Sequence, residues 1–136
     1  MENNSKSGVD PSQGKRALII DDSKMNRSIL RSYLEEFGYE AFYAVDGNDG
    51  LEQYKKIRPF LVFLDIVMPK MTGLELLRQI KALDPDIIVI MVSSFVSRQT
   101  LKEAKDCNAD WFLMKPFKKQ DVADIVNMFE KNKMAS

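Results

Sequence analysis

Apolar and polar positions fall into blocks along this 136-residue chain, and four apolar blocks stop at a polar residue of a different kind. Ala17-Leu18-Ile19-Ile20 ends in Asp21-Asp22, and Phe60-Leu61-Val62-Phe63-Leu64 ends in Asp65. Ile87-Ile88-Val89-Ile90-Met91-Val92 ends in Ser93-Ser94, and Trp111-Phe112-Leu113-Met114 ends in Lys115-Pro116. Short continuous apolar runs of this kind predict strands buried on both faces, as in a parallel sheet.

Between the runs the period becomes helical. Met25, Ile29, Leu30, Tyr33, Leu34 and Phe37 predict a first helix, with Gly38 at the position of a C-terminal glycine. A short strand over 40–45 precedes a helix over 46–56 that carries Leu51 and Tyr54 on one face. A third helix over 72–83 presents Leu74, Leu77 and Ile80, and a fourth over 97–106 presents Leu101 and Ala104. The last, over 119–131, places Val122, Ile125, Val126 and Phe129 at i, i+3, i+4 and i+7. Strand and helix thus alternate five times, with no internal repeat. That order predicts an α/β domain, a parallel sheet with helices on both faces and right-handed crossovers. Ligands of such sheets bind beyond the carboxyl ends of the strands, where all four polar endings fall.

Those endings suggest a chemistry. Three carboxylates brought close together repel, and a bound cation relieves them. Hard oxygen donors without His or Cys favour Mg²⁺, which often bridges carboxylates to a phosphate. Asp21-Asp22 taken alone reads more readily as a helix N-cap pair, but no cap accounts for Asp65 directly after a buried strand. A carboxylate can act as nucleophile on phosphorus and form an acyl phosphate. Lys115 could then neutralise the phosphoryl oxygens, its alternative being an ordinary solvated lysine. It precedes a proline, whose peptide bond can be cis. The hydroxyls of Ser93 and Ser94 could donate to a phosphoryl oxygen or cap the helix that starts near Ser97.

Composition narrows the reading. The length suits a single domain, and 20 Lys+Arg balance 20 Asp+Glu. There is then no basic excess to indicate a nucleic-acid or anionic-membrane partner. With one cysteine, Cys107, no internal disulfide is possible, which fits a reducing compartment. The chain has no histidine, so any phosphohistidine must belong to a partner. No apolar stretch has the length of a membrane span, and the polar start of the chain lacks a signal-peptide core. The expected compartment is the cytoplasm. Residues 1–15, rich in Asn, Ser, Gly and Pro, are expected to be a disordered extension, 16–131 the domain and 132–136 a C-terminal tail.

The Asp21-Asp22 pair, the segment Asp65-Ile-Val-Met-Pro-Lys-Met-Thr-Gly73, Ser93 and Lys115-Pro116-Phe117 together resemble a response-regulator receiver domain, in both order and spacing. The resemblance covers residues 16–131. It implies a flavodoxin-like, doubly wound five-stranded sheet of order 2-1-3-4-5 with five helices. It implies that Asp65 accepts phosphate from the phosphohistidine of a sensor histidine kinase or phosphotransfer protein. Mg²⁺ would be held by Asp22, Asp65 and the backbone carbonyl of Val67, with Asp21 helping through water. Lys115 would contact the phosphoryl group. Ser93 would be the switch hydroxyl, followed by Ser94 at a small-residue position, and Phe112 would be the switch aromatic. Phe112 lacks the hydroxyl that Tyr carries at that position, and Val67 is apolar where it could hinder the water that attacks the acyl phosphate.

With little chain after the last helix, output is expected through binding of a downstream protein, as in single-domain regulators of chemotaxis or phosphorelays, the protein being a monomer or weak dimer. Two other readings stand beside this one. An aspartyl-nucleophile phosphatase would typically carry a second Asp where Val67 stands. A receiver-like binding module that is not phosphorylated would be expected to have lost an acidic residue or the lysine. A flavin or dinucleotide site lacks its glycine-rich loop after the first strand.

Overall fold

A computed structural model describes residues 15–68, 71–94 and 97–135. All of the expected N-terminal extension except Lys15 lies outside the described residues, as do Pro69 and Lys70 of the Asp65 segment, Phe95, Val96 and Ser136. The elements are β1 (Arg16–Ile20), α1 (Lys24–Glu36), β2 (Glu40–Ala44), α2 (Gly47–Ile57), β3 (Leu61–Asp65), α3 (Gly73–Leu83), β4 (Ile88–Ser93), α4 (Arg98–Asp106), β5 (Trp111–Met114) and α5 (Lys119–Ala135). The strands form one parallel sheet in the order β2-β1-β3-β4-β5. This is the flavodoxin-like arrangement expected from the alternation and the resemblance.

Alternate residues of each strand face opposite layers. Ala17 and Ile19 of β1 pack with Leu30 and Leu34 of α1 and with Val122, Ile125 and Val126 of α5. Leu18 and Ile20 pack on the other side with Tyr54 and Ile57 of α2, Leu76, Leu77 and Ile80 of α3, and Ala104 of α4. Every residue of β3 and β4 is buried, which explains their uninterrupted apolar runs.

The helices start at side-chain caps. Ser23, Asp46, Thr72 and Ser97 accept the N–H of Asn26, Asp49, Glu75 and Thr100 respectively. Asp46, Thr72 and Ser97, expected as first helical residues, are therefore caps. Gly38 follows α1 with φ of 88°, the left-handed conformation that favours glycine.

Some packing differs from the sequence reading. Met25 and Ile29 share the helical spacing but are exposed. The stripe of α1 that meets the sheet is Leu30, Leu34, Tyr33 and Phe37. At about 100° of rotation per residue, Met25 and Ile29 fall off its edge. In α3, Leu76 is fully buried while Leu74 only packs at the margin. Trp111 and Met114 are about half exposed because β5 is an edge strand. The last helix runs past Lys131 to Ala135 rather than giving way to a tail. No Gly or Pro lies in that stretch to stop it.

Lys15 is not part of a free extension. Its ammonium bonds Glu130 at 3.0 Å and lies over the Tyr39 ring. Tyr39 donates its hydroxyl to Glu130, and burial, then Glu130, pushes the phenol pKa up. At the start of β4, Lys81 donates to Ile87 O at 2.7 Å and to Asp110 Oδ2 at 2.9 Å. That carboxylate also accepts Val89 N–H, so the pair ties the α3–β4 turn to the start of β5. Among the described residues no helix is long and apolar enough to cross a membrane.

Candidate functional site

Strand register brings the four polar endings to one edge. Ile20 is level with Leu64, which sets Asp21 beside Asp65. Asp65 is level with Val92, and Ser93 is level with Met114. Lys115 N–H then donates to Ser93 O at 2.9 Å. The Lys115–Pro116 peptide is cis.

Asp21, Asp22 and Asp65 each offer a carboxylate oxygen within 4.8 Å of the others. Asp21 and Asp65 are buried, whereas Asp22 is exposed. Lys115 reaches between the buried pair, 3.2 Å from Asp21 Oδ2 and 3.4 Å from Asp65 Oδ2. Its side chain is only 16% exposed, so it is not a solvated surface lysine. Nor are the first two aspartates a helix cap. Ser23 caps α1, and Asp21 Oδ1 instead accepts Ser23 N–H at 2.8 Å.

Burial raises the Asp65 pKa to about 6, and the neighbouring charge of Asp21 adds to the rise. Lys115 and the Val67 N–H, 3.2 Å from Asp65 Oδ1, pull it back. With three carboxylates facing one ammonium, two negative charges are left over, the number one divalent cation balances. The donor set is all oxygen, with one carboxylate still open to solvent. That fits Mg²⁺, which retains waters and accepts phosphate oxygens in its remaining positions.

The loop after Asp65 is held at both ends. Ile66 N–H donates to Val92 O at 3.1 Å, and Gly73 N–H returns to Ile66 O at 2.9 Å. A Cβ on Gly73 would stand 2.2 Å from Asp65 O, so this close approach requires glycine. Glycine there lets α3 begin directly against the strand end that carries Asp65. Val67 is 72% exposed, in the same loop. Ser93 is buried at the strand end and Ser94 is exposed. Neither caps α4, whose cap is Ser97. Phe112 is partly buried and packs against the α2–α3–α4 layer.

One residue of this neighbourhood is absent from the sequence reading. Arg27 donates from Nη1 to the backbone carbonyl of Asp21 at 2.9 Å. Its position in α1, six residues after Asp21, is a polar gap in the apolar stripe, which was the available signal.

A family model described as the response regulator receiver domain matches residues 17–127. Chemotaxis protein CheY of Thermotoga maritima is 34% identical over 119 residues, covering 87% of this chain and 99% of that protein. Sporulation initiation phosphotransferase F of Bacillus subtilis is 32% identical over 115 residues, covering 85% and 93%. Among solved structures, a CheY-like response regulator receiver domain protein from Methanospirillum hungatei superposes with a TM-score of 0.84 at 29% identity, over 90% of this chain and 98% of that one.

Proposed function

The chain belongs to the response regulator receiver domain family, and from that membership we propose that Asp65 accepts a phosphoryl group from a phosphohistidine of a partner protein. Homology to chemotaxis and sporulation regulators supports two-component response regulation. One observation carries the finer reading: Asp65 ends a fully buried strand with Lys115 at 3.4 Å and two further carboxylates beside it.

The reaction asks little covalent chemistry of the protein. An Asp65 carboxylate oxygen attacks phosphorus. The O–P bond forms as the N–P bond of the donor breaks, and the imidazole nitrogen leaves with the electron pair. Lys115, already between Asp21 and Asp65, then turns its ammonium to the phosphoryl oxygens. Ser93 offers a hydroxyl from the neighbouring strand end. Asp21, Asp22, Asp65 and the Val67 carbonyl would hold Mg²⁺, which when bound offsets the carboxylate and phosphoryl charge. The donor is a histidine kinase or phosphotransfer protein, because this chain has no histidine.

Phosphorylation adds about −1.5 to −2 charges and moves Ser93, with Phe112 and the α4–β5–α5 face, between two states. A full reversal of populations takes about 5.5 kcal/mol. On that face a groove of about 420 Å³ lies between β5 and α5. Trp111, Met114 and Met128 line it, together with the carboxylates of Asp121 and Asp124. Its charge suits a downstream protein segment with an apolar anchor flanked by Lys or Arg.

The test is exposure to a small phosphodonor with Mg²⁺, followed by intact mass. One added phosphate, absent in Asp65→Asn, is expected. No uptake, or uptake that survives that substitution, overturns the reading. Sustained hydrolysis of a phosphate ester would favour a phosphatase instead.

A further inference from the structure

Asp22 is the exposed member of the acidic cluster, and it makes no hydrogen bond or ion pair of its own among the described residues. Its direction is therefore set by the backbone that carries it. That backbone lies just past the end of β1 at Ile20, where the β1–β3 pairing stops. Two contacts hold the peptides on either side of Asp21. Asp21 N–H donates to Ala44 O of β2 at 3.2 Å, and Asp21 O accepts Arg27 Nη1 at 2.9 Å. The second carbonyl belongs to the peptide bond that leads into Asp22.

Arg27 is itself held. Its guanidinium lies over the Tyr43 ring, with Cζ 4.8 Å from the centroid. Tyr43 directly precedes Ala44, the residue whose carbonyl takes Asp21 N–H. Adjacent residues of β2 thus support both contacts, one through the main chain and one through an aromatic face. A planar guanidinium can stack and donate at once, which an ammonium cannot do as well.

We propose that Arg27, braced by Tyr43, is a positioning residue for divalent-cation binding, holding the Asp21-Asp22 turn so that Asp22 faces Asp65. The proposal rests on reading the acidic cluster as a Mg²⁺ site. Charge alone argues the opposite way. Arg27 sets a positive charge beside a site for a cation, which weakens binding by repulsion. Removing that charge would tighten Mg²⁺ binding if repulsion were its main effect, and would weaken it if positioning dominates. The two accounts differ in sign.

The experiment is calorimetric titration of the full chain with Mg²⁺, without a phosphodonor. The variants are Arg27→Ala, Arg27→Lys, Tyr43→Ala and Tyr43→Phe. Arg31→Ala serves as a control that removes a charge from the same helix without touching the turn. Loss of an outer partner of a metal ligand costs about 10–100-fold in affinity, and Arg27→Ala is expected at the lower end, about tenfold. Tyr43→Ala should weaken binding severalfold, while Tyr43→Phe keeps the ring and should match the parent. Arg27→Lys should fall between Arg27→Ala and the parent, and Arg31→Ala should leave binding unchanged or slightly tighter. Thermal unfolding in metal-free buffer checks that each variant is folded. If the parent binds Mg²⁺ and Arg27→Ala binds as tightly or more tightly, the brace is refuted and the cation site stands. If the parent binds no Mg²⁺, the site reading fails and the brace falls with it.

Discussion

The ammonium of Lys115 lies 3.4 Å from the carboxylate of Asp65, a residue fifty positions earlier in the chain. The same nitrogen is 3.2 Å from Asp21, so in this state it is shared by two buried carboxylates. Replacing it with alanine removes the nearest cation from Asp65. Phosphoryl uptake from a small donor should slow by about tenfold or more, since a well-placed charge stabiliser is worth a few kcal/mol. Mg²⁺ binding to the unphosphorylated protein should tighten, because a competing positive charge has gone. Stopped-flow uptake and calorimetry measure the two effects separately.

Asp65 should also cost the protein stability. Its pKa rises from 3.8 to about 6 on folding. Below the lower value both states are protonated and there is no penalty. Between the two, the unfolded chain releases its proton first, and above about 6 the folded carboxylate carries the full cost. At ~1.4 kcal/mol per pH unit the shift is worth at most ~3 kcal/mol, reduced by the opening of the crevice to solvent. In metal-free buffer, Asp65→Asn should be the more stable protein at pH 7.5 by about 1–2 kcal/mol. The gain should shrink as pH falls through this window. Urea unfolding at two pH values reads it.

Val67 is exposed in the Asp65 loop, directly after the residues that fix Asp65. We propose that an apolar side chain there would shield an acyl phosphate from water. Val67→Asn should shorten the lifetime of the phosphorylated form severalfold with little change in folding stability. Decay of the phosphorylated mass after the donor is removed gives the rate. An unchanged rate would count against the shielding role.

Gly73 cannot carry a side chain without moving the strand end. An alanine Cβ would meet Asp65 O at 2.2 Å and Ile66 Cα at 2.8 Å. Gly73→Ala should cost about 1–3 kcal/mol, the usual range for overpacking. It should also slow phosphoryl uptake, because the displaced atoms belong to Asp65. Denaturation and uptake assays on the same variant test both halves.

Trp111 is the single tryptophan and stands half exposed beside Phe112 in β5. If phosphorylation reorders the α4–β5–α5 face, its emission should change on addition of donor and Mg²⁺. The change should be absent in Asp65→Asn and reduced in Ser93→Ala. A response that persists in Asp65→Asn would mean that it does not report phosphorylation.

Much of the fold was legible because β3 and β4 are buried on both faces, which leaves no polar position inside their runs. The polar residues that follow them then stand out against the strand. The edge elements were less legible. In α1 only one stripe meets the sheet, so spacing alone drew Met25 and Ile29 into a core they do not enter. Leu76 was missed because a period of three fits Leu74, Leu77 and Ile80 equally well. Arg27 was missed for a different reason: its partner is a backbone carbonyl, so its one trace in the sequence is a polar gap in the apolar stripe of α1, with nothing there to name the partner. Lys81 with Asp110 is similar, a pair that only the fold brings together.

The tie between Lys15, Tyr39 and Glu130 joins three segments that are far apart in the sequence. It fastens the second half of α5 to the entry of β1, at the end of the sheet opposite the carboxylates. Lys15 and the last turns of α5 therefore lie on the side of the sheet away from the crevice. A fluorescent label carried on Lys15 or on Glu130 would stand across the sheet from an approaching phosphodonor.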